Sequence, residues 1–151
     1  MSQVTQLFVA PASRRPMREV EGVMAVADGG LEGCRHSRPG SRRQVLLVES
    51  ETLESFGLAP GQVKENITTR GLRLNDLAKG QRLGIGQAVL EVTVPCEPCS
   101  RMDEIRMGLQ QELHGQRGIL CRVIEGGRIS RGDGIQVVPA AVASGKIGGD
   151  L

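Results

Sequence analysis

A mainly β fold, closed or nearly closed into a barrel and carrying two short helices, is the architecture this 151-residue sequence predicts. Three observations point there. Short apolar runs recur with the period of two that sends successive side chains to opposite faces of a sheet. Twenty-one glycines punctuate those runs with turn signals. Only two brief stretches carry helical spacing, too few for the alternating strand and helix order of a parallel α/β sheet.

Taken in order, residues 4–9 form a first strand, and Gly29-Gly30-Leu31-Glu32-Gly33 turns into a polar loop running through Cys34-Arg35-His36 to Pro39-Gly40. Residues 45–48 are continuously apolar, as expected of a strand buried on both faces. Ser50 is placed to cap a short helix ending at Gly57, with Glu51 and Glu54 in its first part and Phe56 anchoring it to the core. A turn over 58–61 leads to the polar stretch Glu65-Asn66-Ile67-Thr68-Thr69, then to strands at 83–85 and 88–94. In the latter, Leu90, Val92 and Val94 alternate with Val89, Glu91 and Thr93. The spacing of Met102, Ile105, Leu109 and Leu113 predicts one helix, with Ser100 and Asp103 as a capping box and His114-Gly115 as its stop. Strands at 118–124 and 135–138 close the series, joined by a hairpin region rich in Gly126, Gly127 and Gly132. The chain length suits one domain over 1–139, and the small residues of 140–151 predict a flexible tail.

Composition narrows the function. Phe8 and Phe56 are the only aromatic residues, so the stacking platforms of base-reading nucleic-acid modules are missing. Net charge is only +2, yet Lys64, Lys79 and Lys146 are the only lysines among nineteen basic residues. Arginine forks suit phosphates and other oxyanions. With no secretory signal pattern and no apolar stretch of membrane-spanning length, the sequence reads as cytoplasmic, and its four cysteines as free thiols.

The chemistry concentrates at Pro95-Cys96-Glu97-Pro98-Cys99-Ser100, where the strand pattern stops and the helix pattern begins. Unsatisfied N–H groups at a helix start, with Arg101 nearby, favour a thiolate at Cys99. Such a thiolate is a nucleophile, a sulfur carrier or a soft-metal ligand. Cys96, three residues earlier, is either a thiol that resolves a persulfide or disulfide on Cys99 or simply a space-filler. A thioredoxin-like reading lacks its βαβ context, and structural zinc lacks a second close cysteine pair beside Cys34, His36 and Cys121. Asn66, flanked by Glu65 and Thr68 in a polar loop, is suited to orient a ligand, although the same residues make ordinary Asx turns. His114 fits a helix C-terminal cation and Cys121 a small core residue.

Gly30-Leu31-Glu32-Gly33 with Arg35-His36, Arg43-Gln44-Val45, Pro60-Gly61 with Glu65-Asn66-Ile67-Thr68 and Gly71, Gly84-Ile85-Gly86, Pro98-Cys99, Gly118 and Gly132-Asp133 together resemble the MOSC domain. That domain ends molybdenum-cofactor sulfurase and also occurs as small stand-alone bacterial proteins. The resemblance runs from about Gly30 to Val138. It implies a fold like the barrel domain of pyruvate kinase and places the family's cysteine at Cys99, as a persulfide-forming catalytic residue or a molybdenum ligand, with Cys96 as its companion. It further implies an anion pocket for a pterin phosphate lined by Arg35, His36, Arg43 and Arg122, with Asn66 and Thr68 also binding the cofactor. Where the family usually carries an aspartate, this chain has Cys34, and a thiol orients an imidazole less well than a carboxylate does.

The expected function is therefore sulfur handling: a cysteine desulfurase loads Cys99, and molybdenum cofactor or a molybdoenzyme accepts the sulfur. The resemblance equally allows a molybdenum-cofactor-dependent reductase of N-hydroxylated compounds, or a module that only delivers the cofactor. Pyridoxal phosphate is not expected on this domain alone, and neither nucleic acid nor membrane is expected as a partner.

Overall fold

The computed structural model of the chain describes residues 2–12 and 14–138. Its central strand is β5 (Val45–Glu49), the run read as buried on both faces, and four of its five residues are buried. Val45 and Leu47 pack into one apolar cluster, while Leu46 and Val48 pack into a second on the opposite face. This alternation makes β5 the wall between two cores. Each fully buried leucine on it contributes roughly 1.5–3 kcal/mol of transfer free energy.

Around β5 an eight-stranded sheet runs in the order β11-β7-β8-β9-β5-β6-β1-β2. Its members are β1 (Gln3–Val9), β2 (Arg18–Val20), β6 (Ile67–Arg70), β7 (Arg82–Ile85), β8 (Ala88–Pro95), β9 (Ile119–Glu125) and β11 (Ile135–Val138). Neighbours pair antiparallel except β5 and β6, which are parallel. A second sheet holds β10 (Gly127–Ser130), β3 (Gly22–Val26) and β4 (Gly30–Leu31) in that order.

The ladder does not close, so barrel closure is not confirmed. Instead two sheets divide the strands. Between β1 and the start of β11 there is a single bridge, Gln3 to Gly134. The expected hairpin joining β9 to β11 is also corrected: β10 intervenes and pairs with β3, from Gly127 opposite Ala25 to Ser130 opposite Gly22.

In β8 the period of two holds from Ala88 to Val92 and then shifts. The register slips between Val92 and Val94 against β9, so Thr93 is buried while Val94 leans on the second cluster instead of the first. A bulge of this kind redirects the end of a strand. Here it sends the chain toward Cys96 and Cys99.

Among the described residues the α-helices are three rather than two: α1 (Ser50–Ser55), α2 (Arg101–Ile105) and α3 (Leu109–Glu112). The single helix expected around Met102 to Leu113 breaks because Arg106 is extended and Gly108 sits at φ +88°, a conformation that costs any residue with a Cβ. Met102, Leu109 and Leu113 are nevertheless all buried in the second cluster. The capping box is not formed either. Ser100 is already in α geometry without a side-chain cap bond, and Asp103 Oδ1 instead accepts from Gln110 N (3.0 Å), bracing α3. Ser50 lies inside α1, whose N-cap is Glu49. The tail expected over 140–151 lies outside the described residues. No helix among the described residues is long and apolar enough to cross a membrane.

Candidate functional site

Four segments converge on one cavity of about 440 Å³. The end of β1 supplies Ala10, the loop before β5 supplies Arg35, His36 and Arg43, the turn before β6 supplies Lys64 and Asn66, and the chain after β8 supplies Cys96, Cys99 and Met102. Leu46 and Leu120 add apolar wall from β5 and β9.

Charge is the dominant feature of this lining. Arg14, Arg15, Arg35, Arg38, Arg43, Lys64, Arg101 and Arg117 all contribute, and no carboxylate does among the described residues. On a chain with a net charge of only +2, so one-sided a lining concentrates positive potential in one concavity.

The loop carrying Arg35, His36 and Arg38 is fixed from within by Gln44, a fully buried side chain. Its Nε2 donates to the carbonyls of Asp28 (3.0 Å) and Arg38 (3.1 Å), and its Oε1 accepts from Val123 N (3.0 Å). Lys64 Nζ donates to the Arg15 carbonyl (3.1 Å), tethering the Arg14–Arg15 segment over the cavity.

Asn66 acts as a second clasp. Its Oδ1 accepts from Leu46 N (3.0 Å), while Nδ2 donates to the Phe8 carbonyl (3.2 Å) and to Cys34 Sγ (3.3 Å). Buried at 1% exposure, it cross-links β1, β5 and the Cys34 loop. The sequence singled Asn66 out as a ligand-orienting residue. It does line the cavity, with its amide engaged by protein.

Cys34 is buried behind that lining. Ala10 N (3.4 Å), Asn66 Nδ2 and His36 Nδ1 (3.8 Å) all face its Sγ. Burial pushes this thiol up, but the hydrogen bonds from His36, Ala10 and Asn66 outweigh it and bring the pKa down to about 7. With its pKa brought down to about 7, the Cys34 sulfur faces His36 Nδ1 at the position where the family usually carries a carboxylate.

Cys99 and Cys96 line the same cavity and differ in access: Cys99 is exposed, Cys96 buried. Burial raises the Cys96 thiol, although Arg117 and Arg43 pull it the other way. Cys96 is therefore held as the neutral thiol. Its N–H donates to the Gly118 carbonyl (2.9 Å), extending the β8–β9 ladder by one bond into the site. Gln110 Nε2 reaches the Pro98 carbonyl (3.4 Å), tying the loop between the cysteines to α3. α2 has only five residues, so the long helix dipole expected beside Cys99 from sequence is replaced by a short one. The surrounding arginines are the stronger source of positive potential.

Two expected site residues lie elsewhere. Thr68 is fully buried and donates to Glu65 Oε2 (2.8 Å), so it shapes the turn rather than the cavity. Arg122 pairs with Glu91 (3.1 Å) on the β8–β9 ladder and is not part of the lining. Arg35, His36, Arg43, Asn66, Cys96 and Cys99 are brought together. Arg14, Arg15, Arg38 and Lys64 were not anticipated, and nor was Arg117. Cys121, read as a core residue, is fully buried in β9, where burial drives its thiol far up. Among the described residues no three His, Cys, Asp or Glu side chains cluster so as to hold a metal.

Comparison with known proteins places this geometry in context. The chain is 30% identical over 119 residues to the YflK protein of Bacillus subtilis (strain 168), an alignment covering 74% of this chain and 54% of YflK. It thus spans about half the length of that relative. The crystal structure of the YuaD protein from Bacillus subtilis superposes with a TM-score of 0.74 at 22% identity, covering 91% of this chain and 96% of that one. YiiM from Geobacillus stearothermophilus gives a TM-score of 0.74 at 22% identity, covering 94% and 77%. At that identity the two structures speak for the fold. The MOSC domain model matches residues 35–136, from the cationic loop beside the cavity to the last strand of the large sheet, and the chain belongs to the MOSC domain family.

Proposed function

We propose that this protein receives sulfur on Cys99 as a persulfide and passes it to an anionic acceptor seated in the cationic cavity. The MOSC family is associated with molybdenum cofactor binding, which makes that cofactor, or a molybdoenzyme carrying it, the acceptor we favour. One observation carries the reading: an exposed thiol lies on the lining of a cavity whose charged residues are all cations.

The residues present suit such a cofactor. Arg117 is buried with unpaired donors, Arg35 and Arg43 are exposed guanidinium forks on the same lining, and Cys99 offers a soft sulfur to a soft metal. When bound, the cofactor supplies a molybdenum centre able to take up sulfur.

The chain's own part is sulfur exchange. Cys99 Sγ, as thiolate, attacks the outer sulfur of a cysteine desulfurase persulfide. A new S–S bond forms on Cys99, the donor's S–S bond breaks, and the donor leaves as thiolate. This loading step consumes no oxidant or reductant. The cationic lining stabilises the terminal persulfide anion and draws in an acidic acceptor. Cys96, once its proton has passed to the terminal persulfide sulfur, attacks Cys99 Sγ as thiolate, closing a Cys96–Cys99 disulfide and releasing hydrosulfide, and a dithiol reductant then restores both cysteines for the next round.

Incubation with a cysteine desulfurase and cysteine, followed by intact mass measurement, should show a one-sulfur adduct that is absent from Cys99→Ala. Absence of the adduct from both proteins would defeat the proposal. Stoichiometric molybdenum on freshly purified protein, without any sulfur adduct, would recast Cys99 as a metal ligand.

A further inference from the structure

Cys34 is a nucleophilic side chain to which the proposed sulfur transfer gives no part, and its surroundings differ from those of the other buried thiols. Three segments aim polar groups at its Sγ: Ala10 N, just past β1, at 3.4 Å, Asn66 Nδ2, just before β6, at 3.3 Å, and His36 Nδ1, from its own loop, at 3.8 Å. The first two can only donate. A neutral thiol is a weak acceptor, so a nest of donors suits a sulfur that carries charge. Cys121, by contrast, is fully buried in the apolar cluster of β9, and Cys96 Sγ reaches the Glu97 carbonyl at 3.8 Å.

The three residues that face the Cys34 sulfur all line the cavity. Two of them are fixed in place. Arg35 N donates to the Ala10 carbonyl (2.8 Å), and the Asn66 amide is bonded to Leu46 N and the Phe8 carbonyl. His36 is half-buried and makes the longest of the three contacts, so its ring is the yielding part of the wall between Sγ and the cavity. At 6% exposure Cys34 is closed to a bulky reagent. A molecule as small as hydrogen peroxide, once in the cavity, is one side chain away from it.

We propose that Cys34, with His36 as its partner, is a site of reversible oxidation by hydrogen peroxide, and that the oxidised sulfur displaces the His36 ring in the cavity wall. The thiolate sulfur attacks one peroxide oxygen. An S–O bond forms, the O–O bond breaks, and the departing hydroxide takes up the proton that the thiol had released, becoming water. Sulfur is oxidised to sulfenic acid as peroxide is reduced, and a dithiol reductant restores the thiol. Ala10 N and Asn66 Nδ2 approach more closely than His36, so the added oxygen finds its room on the His36 side. The aspartate usual in the family at this position has no such chemistry, and the site does not depend on sulfur loading at Cys99.

The test treats the whole protein with hydrogen peroxide and a diketone that traps sulfenic acids, and peptide mass mapping reads each cysteine separately. Cys34 should be trapped much faster than Cys121, the buried thiol in an apolar setting. Burial raises the Cys34 thiol, the His36 bond is the largest of the contacts that lower it, and His36 is the one titratable group among the three, so trapping should rise with pH about a midpoint of about 7. His36→Ala should slow trapping at pH 7 about tenfold, as the thiolate fraction falls toward that of an ordinary thiol with a pKa of about 8.5. In histidine-selective NMR without the trap, the His36 ring signals should shift on oxidation, recover with a dithiol reductant, and stay unmoved by peroxide in Cys34→Ser. Trapping of Cys34 no faster than that of Cys121 overturns the proposal whether or not the variants fold. Equal trapping in wild type and His36→Ala overturns it too, as does a wild-type His36 signal indifferent to oxidation of Cys34.

Discussion

Cys34 and Asn66 set the behaviour of the site at the scale of single residues. With its pKa lowered to about 7 in the fold, Cys34 lies below the ordinary thiol range of an unfolded chain, about 8.5. A depressed pKa contributes stability that is complete above the unfolded value and vanishes as pH falls through the folded one. The melting temperature of wild type relative to Cys34→Ala should therefore climb between about pH 7 and pH 9, and a flat difference would refute the thiolate. Asn66→Ala strips partners from the buried Leu46 N and Phe8 carbonyl. At about 1–3 kcal/mol for each of these two buried groups left unsatisfied, it should destabilise by about 2–6 kcal/mol in denaturant unfolding. Residue types pointed to Cys99, Cys96, Arg35, His36, Arg43 and Asn66 because thiols, guanidinium forks and amides advertise their chemistry. Arg117 was silent. Nothing in Gln116-Arg117-Gly118 says that the arginine turns inward, since that depends on Gly118 meeting Leu47 across the sheet.

Elements were legible where one face is buried along their whole length. The runs at β1, β5, β8, β9 and β11 showed their period of two or their continuous apolar character directly. The strands β2, β3, β4, β6 and β10 were not seen, being short and defined by partners rather than by composition; β6 was read as a polar stretch and β10 as part of a hairpin turn. The break between α2 and α3 was invisible for a different reason: Met102, Leu109 and Leu113 face the same cluster whether the backbone is continuous or interrupted. Two substitutions probe these junctions. Asp103→Ala removes the brace on Gln110 N and should cost about 1 kcal/mol, the usual value for a lost cap. Gly118→Ala forces a Cβ against the Leu47 carbonyl at a positive φ, and should lower stability by more than about 3 kcal/mol in the same unfolding assay.

At the level of the whole molecule, the cavity collects positive charge that the net value of +2 conceals. Binding of an acidic ligand should therefore weaken steadily as salt rises from about 0.05 to 0.5 M, because screening shortens the reach of the lining charges. An affinity independent of salt would contradict an electrostatically driven site. The mainly β class was readable from many short strands and few helices, while the division into two sheets was not, because pairing partners lie far apart in sequence. β5 finds one neighbour in β6 and the other in β9. The wall between the two cores thus lacks one flank until β9 has been made. During synthesis the cationic loop and Asn66 leave the ribosome well before Cys99 and Arg117, so the nascent chain carries half a pocket and an unpaired strand edge. A ligand can engage the complete cavity only once β9 has joined β5.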